Sequence, residues 1–283
     1  MSMSDGRVLG LTQISGNAPR ATAFNVLLMA EGFTDAEQAT FEATCDAFAQ
    51  TFMQAAPFNE LADRINIFRL GVASTDSGAD VPNQGVTCRT FFDASFGRGA
   101  MERLLVCNNT TALDTASRQL PQFGVAIVVV NSTVYGGSGG GVATFSLAFG
   151  AELVAIHEIG HTAFGLADEY AYYAGPGETG HDRYAGREPT EPNVTINTNL
   201  ATLKWGRSVT TALLPTMANP SCGQDDPRPS TAEPGTIGLF EGARYFHCGA
   251  FRPEFNCRMR MIDQPFCTVC QNVIRSTLGA AVV

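Results

Sequence analysis

Residues 151–170 of this chain read AELVAIHEIGHTAFGLADEY, and this stretch decides how the rest of the sequence is interpreted. Apolar residues recur through it at helical spacing, which predicts an α-helix. His157 and His161 are four positions apart, so a helix presents both imidazoles on one face, where they can bind one metal ion. Glu158 can reach a water molecule on that ion and accept its proton.

The surroundings of this motif favour a metal site over a chance match. The chain has only four histidines, and two of them lie in the motif. Gly165 offers a place for the helix to end, and a carboxylate pair follows at Asp168 and Glu169. A catalytic zinc usually takes three protein ligands and a water. The sequence therefore predicts one catalytic Zn²⁺.

The third ligand is less constrained by the spacing. In the metzincin pattern HExxHxxGxxH, the third histidine comes three residues after the glycine. Here Gly165 comes four residues after His161, one more than in the pattern, but Asp168 keeps the three-residue step from the glycine. Asp168 is our predicted ligand, provided that the chain bends at Gly165. Glu169, with its longer side chain, is one alternative. The other is that both carboxylates only orient the histidines.

The string HEIGHTAFGLADEY at residues 157–170 resembles the bacterial immunoglobulin-A-peptidase family of zinc metallopeptidases. Four more stretches share the resemblance: YGGSGG at 135–140, GLFEGARY at 238–245, FRPEFNCRMRM at 251–261 and FCTVC at 266–270. It extends over roughly residues 24–276. The resemblance implies a zincin fold and endopeptidase activity, but it does not imply that immunoglobulin A is the substrate.

The N-terminal half alternates between strand and helix patterns. Strands are predicted at residues 24–30, 65–72 and 125–131. Helices are predicted from Thr34 or Asp35 to about Ala55 and, in two pieces, over 99–120, with a loop over 75–99. With the resemblance, this order predicts an α/β fold of zincin or metzincin-like type, with a twisted mixed sheet and long helices.

After Tyr170 the chain becomes rich in glycine, proline and acidic residues and loses its periodicity. We therefore predict an N-terminal subdomain, residues 1–168, that carries the metal-binding helix. An irregular C-terminal subdomain would comprise residues 169–283, and the two together would form one catalytic domain.

A glycine run at residues 135–141 leads into VATFS at 142–146, just before the metal-binding helix. In zincin-like folds the strand ahead of that helix is an edge strand, to which a peptide substrate can add. We therefore predict substrate contacts at Gly139, Gly140, Val142 and Ala143, with the glycines allowing close approach to a substrate backbone. The alternative is a flexible hairpin connection.

Two C-terminal features are candidates for completing the site. Met259 lies in a sequence context that resembles the methionine turn of metzincins, where the side chain packs beneath the metal without binding it; an ordinary core methionine is the alternative. Tyr245 is a candidate donor to the developing oxyanion. It alternates with His247, which predicts one strand face for both, and Tyr170 and Tyr172 compete for the same role.

The chain has eight cysteines, which allow two interpretations. Cys88 and Cys107 are candidates for a disulfide, and five more lie in the last quarter of the chain: Cys222, Cys248, Cys257, Cys267 and Cys270. A disulfide framework is favoured, because peptidases of this kind usually work outside cells. The alternative is a structural zinc site formed by the last three cysteines, with Cys248 or His247.

Composition and charge restrict the remaining function classes. A net charge of −9 argues against non-specific nucleic-acid binding. No apolar run approaches the length of a membrane span, and no signal peptide is visible, so the location stays open even though the resemblance implies a secreted enzyme. We expect a monomer that acts on proteins or peptides.

The predicted function is therefore that of a zinc metalloendopeptidase. Three alternatives belong to other classes. One is a zinc hydrolase acting on a non-protein amide, or an exopeptidase. Another is a non-catalytic module with a structural metal. The last is the catalytic portion of a latent enzyme.

Overall fold

The computed structural model describes residues 5–97, 101–171 and 180–279 of the chain. The chain divides into two compact units, Met1–Ala163 and Phe164–Val283, called here the N-terminal and the C-terminal unit. Within the described ranges, none of the helices combines the length and the hydrophobicity that a membrane span requires. Tyr172 lies outside the described residues.

A mixed sheet forms the centre of the N-terminal unit, in the order β1-β3-β2-β4-β6-β5. Its strands are β1 (Gly6–Ser15), β2 (Phe24–Glu31), β3 (Ile65–Ser74), β4 (Phe123–Val130), β5 (Gly137–Ser138) and β6 (Ala143–Ser146). Strands β3, β2, β4 and β6 are parallel, whereas β1 and β5 are antiparallel to their neighbours. The predicted α/β class with a mixed sheet is confirmed, and the zincin assignment within that class stays a prediction.

The helices of this unit are α1 (Gln38–Gln54), α2 (Asn109–Gln119) and α3 (Ala151–Phe164). A 3₁₀ turn at Asp35–Glu37 leads into α1, where the Glu37 carboxylate accepts hydrogen bonds from the backbone N–H and the hydroxyl of Thr34. This arrangement satisfies donors that a helix start leaves open. Phe48 of α1 then stacks on Phe145 of β6, with ring centroids 6.0 Å apart, so α1 packs against the sheet.

Strand β4 shows how sequence and burial correspond. All of its residues from Val125 to Val130 are buried, as expected for a continuous apolar run in a strand that pairs with β2 on one edge and β6 on the other. The predicted central strand is confirmed. Strands β2 and β3 also agree with their predicted segments to within a few residues.

Other parts of the N-terminal unit differ from the predictions. Strand β1 was not predicted, because its residues are mostly exposed or half-buried and two register shifts interrupt its pairing with β3. Only one helix forms in the described part of the predicted 99–120 region, and it begins where the Asn108 side chain accepts a hydrogen bond from Thr111 N. Strand β6 is not the sheet edge, because the two-residue strand β5 pairs alongside it.

The C-terminal unit contains the hairpin β7 (Phe240–Ala243) and β8 (Phe246–Arg252), followed by helix α4 (Thr268–Thr277). Arg244 and Tyr245 connect the two strands with φ angles of 56° and 73°, as a tight two-residue hairpin turn requires. Tyr245 therefore lies in the turn, so the prediction that it shares a strand face with His247 is wrong.

The cysteines follow neither interpretation completely. Cys222 and Cys248 form a disulfide. Cys88 and Cys107 are free, so the candidate disulfide between them does not form. The last three cysteines, Cys257, Cys267 and Cys270, are free thiols in the interior of the C-terminal unit.

Candidate metal centre and active site

Helix α3 brings the two histidines of the HExxH motif together. The Nε2 atoms of His157 and His161 lie 3.1 Å apart, and their rings are nearly perpendicular at 84°. Two nitrogens bound to one tetrahedral zinc at 2.0–2.1 Å would be roughly 3.3 Å apart. The spacing of the imidazole nitrogens thus fits a shared ion without movement of the helix backbone.

Burial and helix termination hold this pair in place. Ala155, Ile156 and Ile159 are fully buried and fix the opposite face of α3, while His157 is 7% exposed. The helix ends at Phe164, and Gly165 follows with a φ of 61°, a left-handed conformation that favours glycine. The predicted helix end at Gly165 is confirmed.

Glu158 completes the cluster on α3. One carboxylate oxygen of Glu158 and one ring nitrogen from each histidine lie within 4.8 Å of one another. Glu158 and His161 are half-buried, so solvent reaches this part of the helix. Two imidazoles and an adjacent carboxylate are a donor set that suits zinc, with the carboxylate placed to accept a proton from water.

The glycine run packs directly on this helix. A Cβ atom added at Gly139 would lie 2.6 Å from the Cβ of His161 and 3.1 Å from a carboxylate oxygen of Glu158. The backbone N–H of Gly140 donates to the Thr162 hydroxyl at 3.1 Å. Glycine at position 139 thus permits a close approach between this loop and the helix.

Of the four predicted substrate contacts, two are exposed and two are not. Gly139 and Gly140 are exposed, whereas Val142 and Ala143 are 3% and 0% exposed. Ala143 also pairs with Ile127 of β4. A role for Val142 or Ala143 in substrate binding would therefore have to use their main chain.

In the C-terminal unit, the hairpin turn holds Asp168. The Tyr245 hydroxyl donates to Asp168 Oδ2 at 2.5 Å, and the backbone N–H of Arg244 donates to the Asp168 carbonyl at 2.9 Å. Asp168 is 6% exposed and Tyr245 is 41% exposed. The bond between the two side chains joins two predicted site residues that are far apart in the sequence.

Glu169, the alternative third ligand, is directed into the interior of the same unit. Its side chain is fully buried, and its Oε1 accepts a hydrogen bond from Asn193 Nδ2 at 2.8 Å and lies 3.3 Å from Cys270 Sγ. Burial raises the pKa of this carboxyl well above its ordinary value. Its backbone N–H donates to the Met259 carbonyl at 2.7 Å.

Met259 is fully buried and lies on a turn, in which the N–H groups of Arg260 and Met261 both donate to the Cys257 carbonyl at 2.9 Å. Its role beneath a catalytic metal stays a prediction. His247, the other candidate on this hairpin, is 3% exposed, and its Nδ1 lies 2.8 Å from the Cys222 carbonyl. It is therefore packed beside the disulfide.

The sequence profile of the family described as IgA Peptidase M64 matches residues 12–221 and 228–278. The chain belongs to this family. No curated protein matches the chain. Family membership confirms the resemblance and makes this M64 peptidase a metallopeptidase that hydrolyses peptide bonds. The donor set on α3 fits the metal ion that the family implies.

Proposed function

We propose that this M64 peptidase is a zinc-dependent endopeptidase, with His157, His161 and Asp168 as the metal ligands and Glu158 as the general base. The observation that carries the proposal is the 3.1 Å separation of the two histidine Nε2 atoms beside the Glu158 carboxylate. Nitrogen and carboxylate ligands of this kind, with one position left for water, are typical of catalytic zinc.

The different surroundings of the two carboxylates support Asp168, and not Glu169, as the third metal ligand. The Glu169 carboxylate is fully buried between Asn193 and Cys270. The Asp168 carboxylate instead accepts a hydrogen bond from the Tyr245 hydroxyl, and such outer contacts commonly orient carboxylates that bind metals. Asp168 also keeps the spacing from Gly165 that the metzincin pattern predicts.

In the proposed mechanism, a bound zinc ion would act as a Lewis acid that polarises the peptide carbonyl and acidifies a water molecule. Glu158 accepts the proton of the attacking water at its carboxylate and delivers it to the nitrogen of the leaving amine. Water is the nucleophile, so no covalent acyl-enzyme forms.

Tyr245 is the proposed hydroxyl donor of the site. Before substrate binds, its hydroxyl donates to Asp168 and is placed to orient the Asp168 carboxylate towards the metal. A role as donor to the oxyanion would require the hydroxyl to exchange Asp168 for the substrate during the reaction. Met259 is proposed to support the site by packing.

Substrate contacts are proposed at the glycine run. Gly139 and Gly140 are exposed and lie beside the helix that carries Glu158, which supports contact with the backbone of an extended peptide. Val142, just before β6, and Ala143, its first residue, would contribute through their main chain only, because their side chains are buried.

Cleavage of unfolded casein tests the proposal. The wild-type protein should produce internal cuts, and Glu158→Ala should abolish them while leaving the bound zinc in place. Glu152→Gln is the matched control, since Glu152 lies in the first turn of the same helix and should not affect turnover. If the zinc-loaded wild-type protein releases only terminal residues, or cleaves only small amides, the endopeptidase assignment is wrong.

A further inference from the structure

One carboxylate and three cysteine side chains, all able to bind a metal ion, converge in the interior of the C-terminal unit. The carboxylate of Glu169 and the sulfur atoms of Cys257, Cys267 and Cys270 lie within 4.8 Å of one another. Three of these residues are fully buried, and Cys267 is 3% exposed. We call this group the Cys3Glu cluster. It lies outside the histidine site on α3 and has no role in the mechanism above.

The distances in the Cys3Glu cluster match tetrahedral metal coordination. The sulfurs of Cys257 and Cys270 are 3.7 Å apart, and Glu169 Oε1 lies 3.3 Å from Cys270 Sγ and 4.0 Å from Cys267 Sγ. Around one zinc ion, two thiolates would be roughly 3.8 Å apart, and a thiolate and a carboxylate oxygen roughly 3.5 Å apart. A disulfide would require about 2.05 Å. The spacing therefore favours a shared ion.

The backbone around the cluster is arranged to stabilise negative sulfur. The N–H of Cys267 donates to Cys257 Sγ at 3.3 Å, and the N–H of Cys270 donates to Cys267 Sγ at 3.5 Å. Cys267 is also the N-cap of helix α4, where the helix dipole favours anionic groups. These contacts suit thiolates better than neutral thiols.

The surrounding charges also suit a metal complex. Three thiolates and one carboxylate around Zn²⁺ carry a net charge of −2. The buried guanidinium of Arg252 and the nearby Arg260 interact electrostatically with Glu169 and offset part of that charge. Within the described part of the chain, Glu169 Oε2 is buried and has no hydrogen-bond partner. A metal ion bound by this carboxylate would offset the cost of burying its charge with one oxygen lacking a hydrogen-bond partner.

We propose that Glu169, Cys257, Cys267 and Cys270 bind a structural Zn²⁺ ion, separate from the catalytic ion on α3. Binding displaces the protons of the three thiols and of the carboxyl group to solvent, and no oxidation is involved. The fourth ligand is Glu169, whereas the sequence suggested Cys248 or His247. Cys248 is unavailable because it forms a disulfide with Cys222.

The structural ion would also position a catalytic residue, an inference that rests on the proposed function. Glu169 follows Asp168 directly, so the ion would tie the backbone of the proposed catalytic ligand to α4 and to the Cys257 turn. The hydrogen bond from Glu169 N to the Met259 carbonyl already links the Asp168–Glu169 segment to the Cys257 turn. The structural ion would thus hold Asp168 in position without touching the substrate.

X-ray absorption spectroscopy and metal analysis of the whole 283-residue chain, purified with zinc under reducing conditions, test the proposal. The wild-type protein should hold two zinc ions, with scattering from sulfur at about 2.3 Å as well as from nitrogen and oxygen at about 2.0 Å. His157→Ala/His161→Ala should hold one ion, with the sulfur signal enriched. Cys267→Ser/Cys270→Ser should lose the sulfur signal. Cys88→Ser alters a free thiol outside the cluster and is the control. It should change neither the number of bound zinc ions nor the sulfur signal.

The wild-type measurement decides the proposal even if the double cysteine variant does not fold. Absence of zinc–sulfur scattering would overturn it. A disulfide between any two of the three cluster cysteines would also overturn it, if found in protein purified without reductant and alkylated in denaturant before reduction. One ion with only sulfur-rich scattering would instead support the structural site and contradict the catalytic one. The two proposals can therefore fail independently.

Discussion

Gly139 lies against His161 so closely that a Cβ atom at position 139 would come within 2.6 Å of the His161 Cβ. The same atom would lie 3.1 Å from both the Glu158 carbonyl oxygen and its carboxylate. Backbone atoms of a helix cannot move aside as a flexible side chain can. The loop and the helix therefore depend on the absence of a side chain at this position.

Gly139→Ala should accordingly impair the metal site. Overpacking of this kind typically costs about 1–3 kcal/mol, and here the strain acts on a histidine ligand and on the general base. We expect weaker zinc binding, lower kcat/KM and a lower Tm. Metal titration, casein cleavage and thermal unfolding measure the three effects.

Gly141→Ala is the matched control for Gly139→Ala. Its added Cβ would meet no atom closer than 3.4 Å, where the Asn109 side chain lies. We expect nearly wild-type activity. If the two alanine variants behave alike, the close packing of Gly139 on α3 has no functional consequence.

Tyr245→Phe removes the hydroxyl that donates to Asp168 Oδ2. Loss of an outer contact to a metal ligand typically costs 10–100-fold in metal affinity or activity. If Tyr245 orients Asp168, zinc affinity should fall together with kcat. If it donates to the oxyanion, kcat should fall while zinc affinity and KM stay unchanged.

Tyr170→Phe should be measured beside Tyr245→Phe. The rings of Tyr170 and Tyr245 are 5.5 Å apart, so this variant perturbs the same neighbourhood and leaves the Tyr245 hydroxyl in place. A larger loss of kcat in Tyr170→Phe than in Tyr245→Phe would transfer the proposed donor role to Tyr170.

Removal of the metal should abolish activity reversibly. Since a bound zinc ion contributes several kcal/mol of transition-state stabilisation, dialysis against a chelator should reduce kcat/KM by roughly 10³-fold or more. Added Zn²⁺ should restore turnover in the wild-type protein but not in His161→Ala. Full turnover by a protein that metal analysis shows to be zinc-free would contradict the proposed mechanism.

Glu31 makes stability depend on pH. Its buried carboxylate accepts hydrogen bonds from the Thr90 hydroxyl at 2.6 Å and from the N–H groups of Phe92 and Ala94 at 2.8 Å. Burial outweighs these bonds and, with the charge of Asp93, raises the pKa of Glu31 from 4.5 to about 7. The folded state therefore binds this proton more tightly than the unfolded state does.

The sign of the effect follows from the raised pKa. The stabilising contribution of protonated Glu31 is fully present below pH 4.5 and is lost as the pH rises through about 7. The free energy of unfolding should fall by on the order of 3 kcal/mol over this range. The protonation of Glu31 differs between the folded and unfolded states over roughly pH 5–8. Urea unfolding across this range should show the loss of stability in the wild-type protein.

Glu31→Gln should remove this pH dependence. The variant should be less stable overall, because an amide nitrogen cannot accept the hydrogen bonds that the carboxylate accepts. Asp63→Asn, at an exposed position, should keep the wild-type pH profile. If the profiles of Glu31→Gln and the wild-type protein are parallel, ionisation of Glu31 does not control stability.

Much of the local structure could be predicted because it depends on neighbours in the sequence. His157 and His161 share a helix face because one turn of helix separates them, and Gly165 ends that helix because it can adopt a positive φ. The buried strand β4 follows from an unbroken apolar run. In each case the deciding interaction spans a few residues.

Contacts between distant residues could not be predicted in the same way. The cysteines left open a disulfide between Cys88 and Cys107, yet both are free, and nothing near Glu169 in the sequence indicates that it faces Cys270. The Tyr245 hydroxyl meets Asp168 because a two-residue turn projects it there. Such pairings arise when separate segments pack together, because side-chain spacing along the chain carries no information about which segments will meet.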